Sequence, residues 1–298
     1  MLLTGVIYMM LAPVGHIPDV WEHVYRVSSI LNGDIIARHV DSVSAFHNST
    51  ENVGGAVSWD LINLSIEYDD GYDPGVVFPD TINASNAHTA DVPFNNTATN
   101  TPIVYLPQLI IFALAGGLPA VAQYWLAQLF MLLVYSVALG ISVRAIPKHK
   151  LLFAAVALFP PLVFRYSFAI SADSMTQASV MVFIAFVFRV LYSREVTKLS
   201  LAGMLVSGFI LCLSKFVYAP LIALVIVVVL IRRRNMSVVA VCTSIISSIG
   251  FGLVTFAWVS ANRWYVTTPG IVSSAEVQSK THALLENPND VIGNIVFP

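Results

Sequence analysis

Long apolar runs, almost free of charge, most constrain what this chain can become. They occupy residues 1–15, 119–143, 151–169, 174–193, 199–214, 217–231 and 237–260. A bilayer core is crossed by about 20 residues of helix. Within it an unpaired peptide group costs several kcal/mol, so a spanning segment must be helical or part of a closed barrel. The runs therefore predict an all-α polytopic membrane protein of about seven transmembrane helices, a single membrane domain over 1–298. Composition agrees: 57% of residues are hydrophobic and 11% charged, against roughly 45–50% and about 25% in soluble domains. A net charge of −2 offers no electrostatic basis for binding nucleic acid.

The first run lacks a basic leading region and a small-residue cleavage site, which argues against a signal peptide. Cys212 and Cys242 both fall in apolar runs. They read as small packing residues, with neither a disulfide framework nor metal-ligand spacing.

Charge sets the orientation. The basic loops are RAIPKHK (144–150), SREVTK (193–198) and RRRN (232–235). Short loops rich in Lys and Arg face the cytoplasm. With seven spans all three share that side, opposite the acidic segment 16–102. The further apolar stretch 103–117 holds Pro107 and ends in Gly116-Gly117. Counted as a span, it would leave a one-residue hairpin before 119 and put the basic loops beside the acidic segment. It is read instead as a re-entrant or surface half-helix. Twelve of the 17 acidic residues lie between Asp19 and Asp91, and only Glu195 falls in a cytoplasmic loop.

Segment 16–102 is thus a large first extracytoplasmic loop, rich in Asn, Ser and Thr and loosely ordered, with a short strand or two around GAVSWDLINLSI. Its sequons at Asn48, Asn63, Asn83 and Asn95 matter only on a eukaryotic secretory route. Residues 103–260 form the bundle. The tail, 261–298, returns to the outer side with an amphipathic surface helix. It stops at VIGNIVFP as another element begins, which reads as a fragment.

The polar groups that call for chemistry begin directly after the first run, in HIPDVWEHVYRV (16–27). Pro18 suits a helix start and Asn32-Gly33 an end. Val20, Val24, Val27 and Leu31 make one apolar stripe, while Asp19, Glu22, His23 and Arg26 share another face. The stretch is read as an amphipathic helix on the outer membrane surface. An ordinary Glu22–Arg26 pair on a solvated face, worth about 0.2–0.5 kcal/mol, is the simpler reading of that cluster alone. Other costly groups converge on the same side. Arg165 and Asp173 flank RYSFAISADSM, with Ser171 as a possible cap for the following helix. Lys215 and Tyr218 lie in SKFVYAP, with no hydrophilic loop to account for the lysine. Capping by Asp173 and snorkelling by Lys215 are the structural alternatives. Carboxylates can serve as general base or metal ligand, and Arg and Lys can hold a phosphate.

These motifs, in this order, resemble the bacterial domain-of-unknown-function family 2142, which is similar to membrane glycosyltransferases of the GT-C class. The family's PDE..HF.RA pattern falls on Pro18, Asp19, His23 and Arg26. Val20 stands where the family has a second acid, and Glu22 lies nearby. Its Y.P element matches Tyr105 and Pro107, its SAD element Ser171 to Asp173, and its K..Y element Lys215 and Tyr218. The resemblance implies a GT-C-like enzyme of the plasma membrane. It would move a sugar from a polyprenyl-phosphate-linked donor to an envelope glycan acceptor. Asp19 and Glu22 would be its catalytic acids, with Asp19 the ligand if a divalent metal ion is used. His23, Arg26, Tyr105, Arg165, Asp173, Lys215 and Tyr218 would bind substrate. A transporter or flippase of lipid-linked sugars is the alternative, hinted at by Ser244, Ser247, Ser248, Gly250 and Gly252 in the last run. A non-catalytic membrane scaffold is a third reading.

Overall fold

The computed structural model describes residues 1–41, 52–69, 75–78, 82–158 and 165–262. The expected tail helix, the sequon at Asn48 and the middle of the 151–169 run lie outside the described residues. Helices α1 (Leu2–Leu11) and α2 (Val20–Leu31) lead into a small β module. Strands β1 (Arg38–Val40), β2 (Asn52–Ser58), β3 (Asn83–Ala84) and β4 (Thr89–Pro93) form one antiparallel sheet in the order β1-β2-β4-β3. Helix α3 (Trp59–Glu67) follows β2 without a break. A 3₁₀ turn (Pro102–Tyr105) runs into α4 (Leu106–Leu114), and α5 (Ala120–Ala145), α6 (Lys150–Leu158), α7 (Ala172–Tyr192) and α8 (Lys198–Ser214) follow. A second 3₁₀ segment (Phe216–Ile222) continues as α9 (Ala223–Arg232), and α10 is Val238–Asn262.

Among the described residues, four helical stretches are long and apolar enough to cross a membrane: Ala120–Ala145, Ala172–Tyr192, Phe216–Asn235 and Val238–Asn262. The apolar helices Leu2–Leu11, Pro102–Leu114 and Lys198–Ser214 are shorter. The last two spanning stretches bury little of their surface and present side chains such as Val239, Ile246, Leu253 and Phe256 outward. Large exposed apolar residues on every turn are what hydrocarbon solvates at no cost. The basic turns lie at the end of the bundle away from the sheet. There Arg232, in the last turn of α9, donates to the carbonyls of Ser193 and Arg194 and so satisfies the C-terminus of α7.

Two expectations are corrected. The chain is mostly helical, but it is not all-α. The strand expected at GAVS is present as part of β2, but WDLINLSI is the helix α3, and β1, β3 and β4 make an ordered sheet with β2 where the Asn- and Ser-rich composition pointed to loose loop. The sheet is stabilised by what lies against it. Val53, Val57, Ala90, Val92 and Phe94 share one core with Val20, Val24 and Val27 of α2.

The second correction concerns α2. It is not a surface helix, because every residue from Val20 to Ile30 is buried. One side packs on the bundle, where the Trp21 and Tyr124 rings lie 5.7 Å apart. The other side packs on β2. There β1 is only three residues long and pairs with Asn52 to Gly54, which among the described residues leaves the later groups of β2 without a strand on that side. The end of α2 replaces it. Asp34 accepts from the Ala56 N–H at 2.8 Å, Asn32 donates to the Ala56 carbonyl at 3.0 Å, and Ser28 accepts from the Ser58 N–H at 3.0 Å. Gly55 makes this approach possible: a Cβ there would come within 2.2 Å of Ser29 Oγ and 2.6 Å of Asp34 Oδ2. The sequence pattern showed two faces on α2. Only the fold revealed that the polar face would be covered by groups able to pair with it.

Candidate functional site

The site lies where α2, the loop 94–101, the first 3₁₀ turn, the start of α7 and the end of α8 meet. The loop PFNNTATN, rich in small amides and hydroxyls, acts as the clasp. Asn96 donates to Glu22 through its backbone N–H (3.0 Å to Oε2) and its side chain (3.1 Å to Oε1). Thr97 donates to the Glu22 carbonyl at 3.0 Å. Arg26 is wholly buried and donates to the carbonyls of Asp34 (2.9 Å), Ile35 (2.6 Å) and Asn100 (3.3 Å), with its guanidinium 5.8 Å from the Phe94 ring centre. Burial pulls its pKa down to about 10, partly offset by Tyr105 and Asp34, so it remains a cation at neutral pH. Glu22 and Arg26, which share a face four residues apart, are thus committed to holding the sheet module onto the bundle. Asn95 is spent similarly, accepting from the Val53 N–H at 2.7 Å.

His23 occupies the centre. Its Nδ1 lies 2.6 Å from the Tyr105 hydroxyl and its Nε2 3.2 Å from Ser171 Oγ. Asn100 donates to the same Tyr105 oxygen at 3.0 Å. The phenol proton is therefore assigned to His23 Nδ1, which leaves Nε2–H to donate to Ser171. Ser171 also accepts from the Asp173 N–H at 3.1 Å, capping α7 as its place in the sequence suggested. Burial pushes the His23 pKa down to about 3, with Asp173 opposing and Lys215 assisting. Burial likewise pushes the Tyr105 hydroxyl up. Both stay neutral across the physiological range.

This depression has a stability consequence. Unfolded, the imidazole titrates near 6.5, and folded near 3. Below pH 6.5 the unfolded chain therefore binds the extra proton, so stability present above that pH is lost as pH falls towards 3. The wild type is expected to lose on the order of 1–2 kcal/mol more than His23→Gln between pH 7 and pH 5. Thermal unfolding in detergent at the two pH values measures the difference. Equal losses would mean that His23 is not held neutral.

At the edge of this network Lys215 Nζ meets Asp173 Oδ1 at 2.5 Å, with both side chains 37% exposed. Lys215 is placed by the abrupt end of α8, whose Leu213 carbonyl accepts from Thr101 at 2.6 Å. Beside the pair opens a cavity of about 410 Å³ lined by Asn96, Asn100, Ser214, Lys215, Trp258 and Asn262. Trp258 donates from its indole to the Thr99 carbonyl at 2.7 Å, which ties α10 to the clasp.

The structure thus joins His23, Tyr105, Asp173 and Lys215. Arg165 donates to the His16 carbonyl at 2.8 Å, in the turn ahead of α2. Asp19 is half-buried at the start of α2 in a left-handed conformation, φ 57°, and its side chain does not cap the helix. Tyr218 lies exposed on the second 3₁₀ segment, its N–H donating to the Lys215 carbonyl at 2.9 Å. Asn96, Asn100 and Trp258 were missed from sequence. Their one signal, the amides of NNTATN, read as loop chemistry. Among the described residues no three His, Cys, Asp or Glu side chains gather as a metal site, so no step is derived through a metal ion.

Several apolar helices long enough to span, with a polar site at one end of the bundle, define a polytopic membrane protein. The chain belongs to the family described as "Predicted membrane protein (DUF2142)", whose model matches residues 2–298. No curated protein and no solved structure matches it.

Proposed function

We propose that this protein is a GT-C-type membrane glycosyltransferase. It moves a sugar from a polyprenyl-phosphate-linked donor to an extracytoplasmic cell-envelope glycan. The observation that carries the proposal is the part-exposed Lys215–Asp173 pair, whose lysine lines a 410 Å³ cavity, backed by a neutral buried histidine. In this reading the apolar runs complete seven crossings of the plasma membrane, with 16–102 and 261–298 outside.

The chemistry then divides as follows. The donor phosphate takes Lys215 from Asp173. An acceptor hydroxyl oxygen attacks the anomeric carbon, and the bond from that carbon to the phosphate oxygen breaks. Polyprenyl phosphate leaves with the electron pair, its growing charge stabilised by Lys215. Asp173, released from its partner, takes the hydroxyl proton, with Asp19 as the second carboxylate. Glu22, with both oxygens held by Asn96, serves as an anchor. His23 and Tyr105 fix the start of α7. Transporters place polar groups near the bilayer midplane at a repeat interface; a site at one end of the bundle favours transfer.

In a host lacking the gene, Asp173→Asn and Asp19→Asn are expected to leave envelope sugar composition unrestored while accumulating to wild-type levels on immunoblots. Restoration by Asp173→Asn would remove the base from the mechanism and with it the support for transfer.

A further inference from the structure

The basic end of the bundle carries a second cavity, of about 540 Å³. It is remote from the first: α7 carries Asp173, the partner of Lys215, at its start and Tyr192 at its end, and its 21 residues span about 31 Å at 1.5 Å per residue. Leu152 and Val156 of α6 and Phe188 and Tyr192 of α7 form its apolar walls. The Phe188 and Tyr192 rings stack 5.9 Å apart at 17°, and both residues are exposed. Lys148 and His149 line the cavity where α5 turns into α6. His149 makes that turn in a left-handed conformation, φ 56°, which residues other than glycine seldom adopt. Its carbonyl accepts from the Phe153 N–H at 3.0 Å and so closes the first turn of α6.

Two features together identify the occupant. Helix α6 buries none of its residues, and Leu152 and Val156 are 64% and 66% exposed. Such walls suit hydrocarbon. Among the described residues no acid lines the cavity, and Arg144, Lys150 and Arg189 add positive charge on the flanking helix ends. A soluble anion has no use for the walls, and a neutral lipid has none for the cations. Basic pockets between spanning helices select anionic headgroups.

We propose that this groove binds one anionic phospholipid. An acyl chain lies along Leu152, Val156 and Phe188, and the phosphate is held by Lys148 and His149. The purified full chain is titrated with phosphatidylglycerol and with phosphatidylcholine of the same acyl chains, and retained lipid is counted by native mass spectrometry. The wild type is expected to retain one phosphatidylglycerol with a preference of about fivefold, the contribution of one lysine at an anionic headgroup. Lys148→Gln with His149→Gln, both exposed positions, abolishes the preference. Leu152→Trp, which fills the groove and spares the charges, lowers retention of both lipids. Equal retention of the two lipids by the wild type would overturn the proposal. So would an unchanged preference in the double variant, or displacement of phosphatidylglycerol by an equal concentration of inorganic phosphate.

Discussion

On the proposed function, Lys215→Ala is expected to lower sugar transfer by a factor of about 10²–10³, the usual loss when one group that stabilises developing charge is removed. The protein should nonetheless stay folded. The Lys215–Asp173 pair is more than one-third exposed, and pairs of that kind contribute no more than about 1 kcal/mol to stability. A large loss of turnover with a small change in melting temperature therefore separates a chemical role from a structural one. Lys215→Arg keeps the charge but spreads it over a planar fork, and is expected to recover part of the activity. The measurement is turnover of a labelled polyprenyl-phosphate sugar in membranes, beside thermal unfolding in detergent. Wild-type turnover by Lys215→Ala would end the assignment.

Arg26→Ala is expected to have the opposite signature, a failure of stability. Arg26 is fully buried, donates to three main-chain carbonyls on two separate segments and lies against the Phe94 ring. Its removal leaves buried carbonyls without donors, each costing about 1–3 kcal/mol, in addition to the emptied space. A total loss of at least about 3 kcal/mol is expected, enough to detach the sheet module from the bundle. Arg26→Lys should rescue little, since a compact ammonium does not reproduce the fork that spans Asp34, Ile35 and Asn100. Limited proteolysis of the β module, compared with wild type, reads the result. A variant as resistant as wild type would show that the clasp does not depend on this side chain.

The opposed expectations for two cations show how far the residues can be read locally. Both were candidate binding residues from sequence, Lys215 because charge is costly between apolar runs and Arg26 because it shares a helix face with Asp19, Glu22 and His23. The burial of Arg26 among carbonyls and the half-exposure of Lys215 at a cavity separate them, and neither is visible in spacing. The capping of α7 by Ser171 was legible, because a cap is set within a few residues. The burial of α2 was not. Its amphipathic period gives the orientation of its faces but says nothing of what covers them. Apart from the strand at GAVS, the sheet was hidden for a related reason. Its strands are two to seven residues long, and much of their support comes from α2, outside the segment being read.

Hydropathy and charge are properties of neighbouring residues, so the sequence alone determined the membrane class, the positions of the long helices and the separation of basic from acidic ends. Contacts between residues far apart in the chain were decided only by the tertiary structure. Asn96 reaches Glu22 across 74 positions and Lys215 reaches Asp173 across 42. Such pairs form because packed helices and a sheet bring their backbones together, and no local pattern encodes which buried charge finds a carbonyl and which is left facing a cavity.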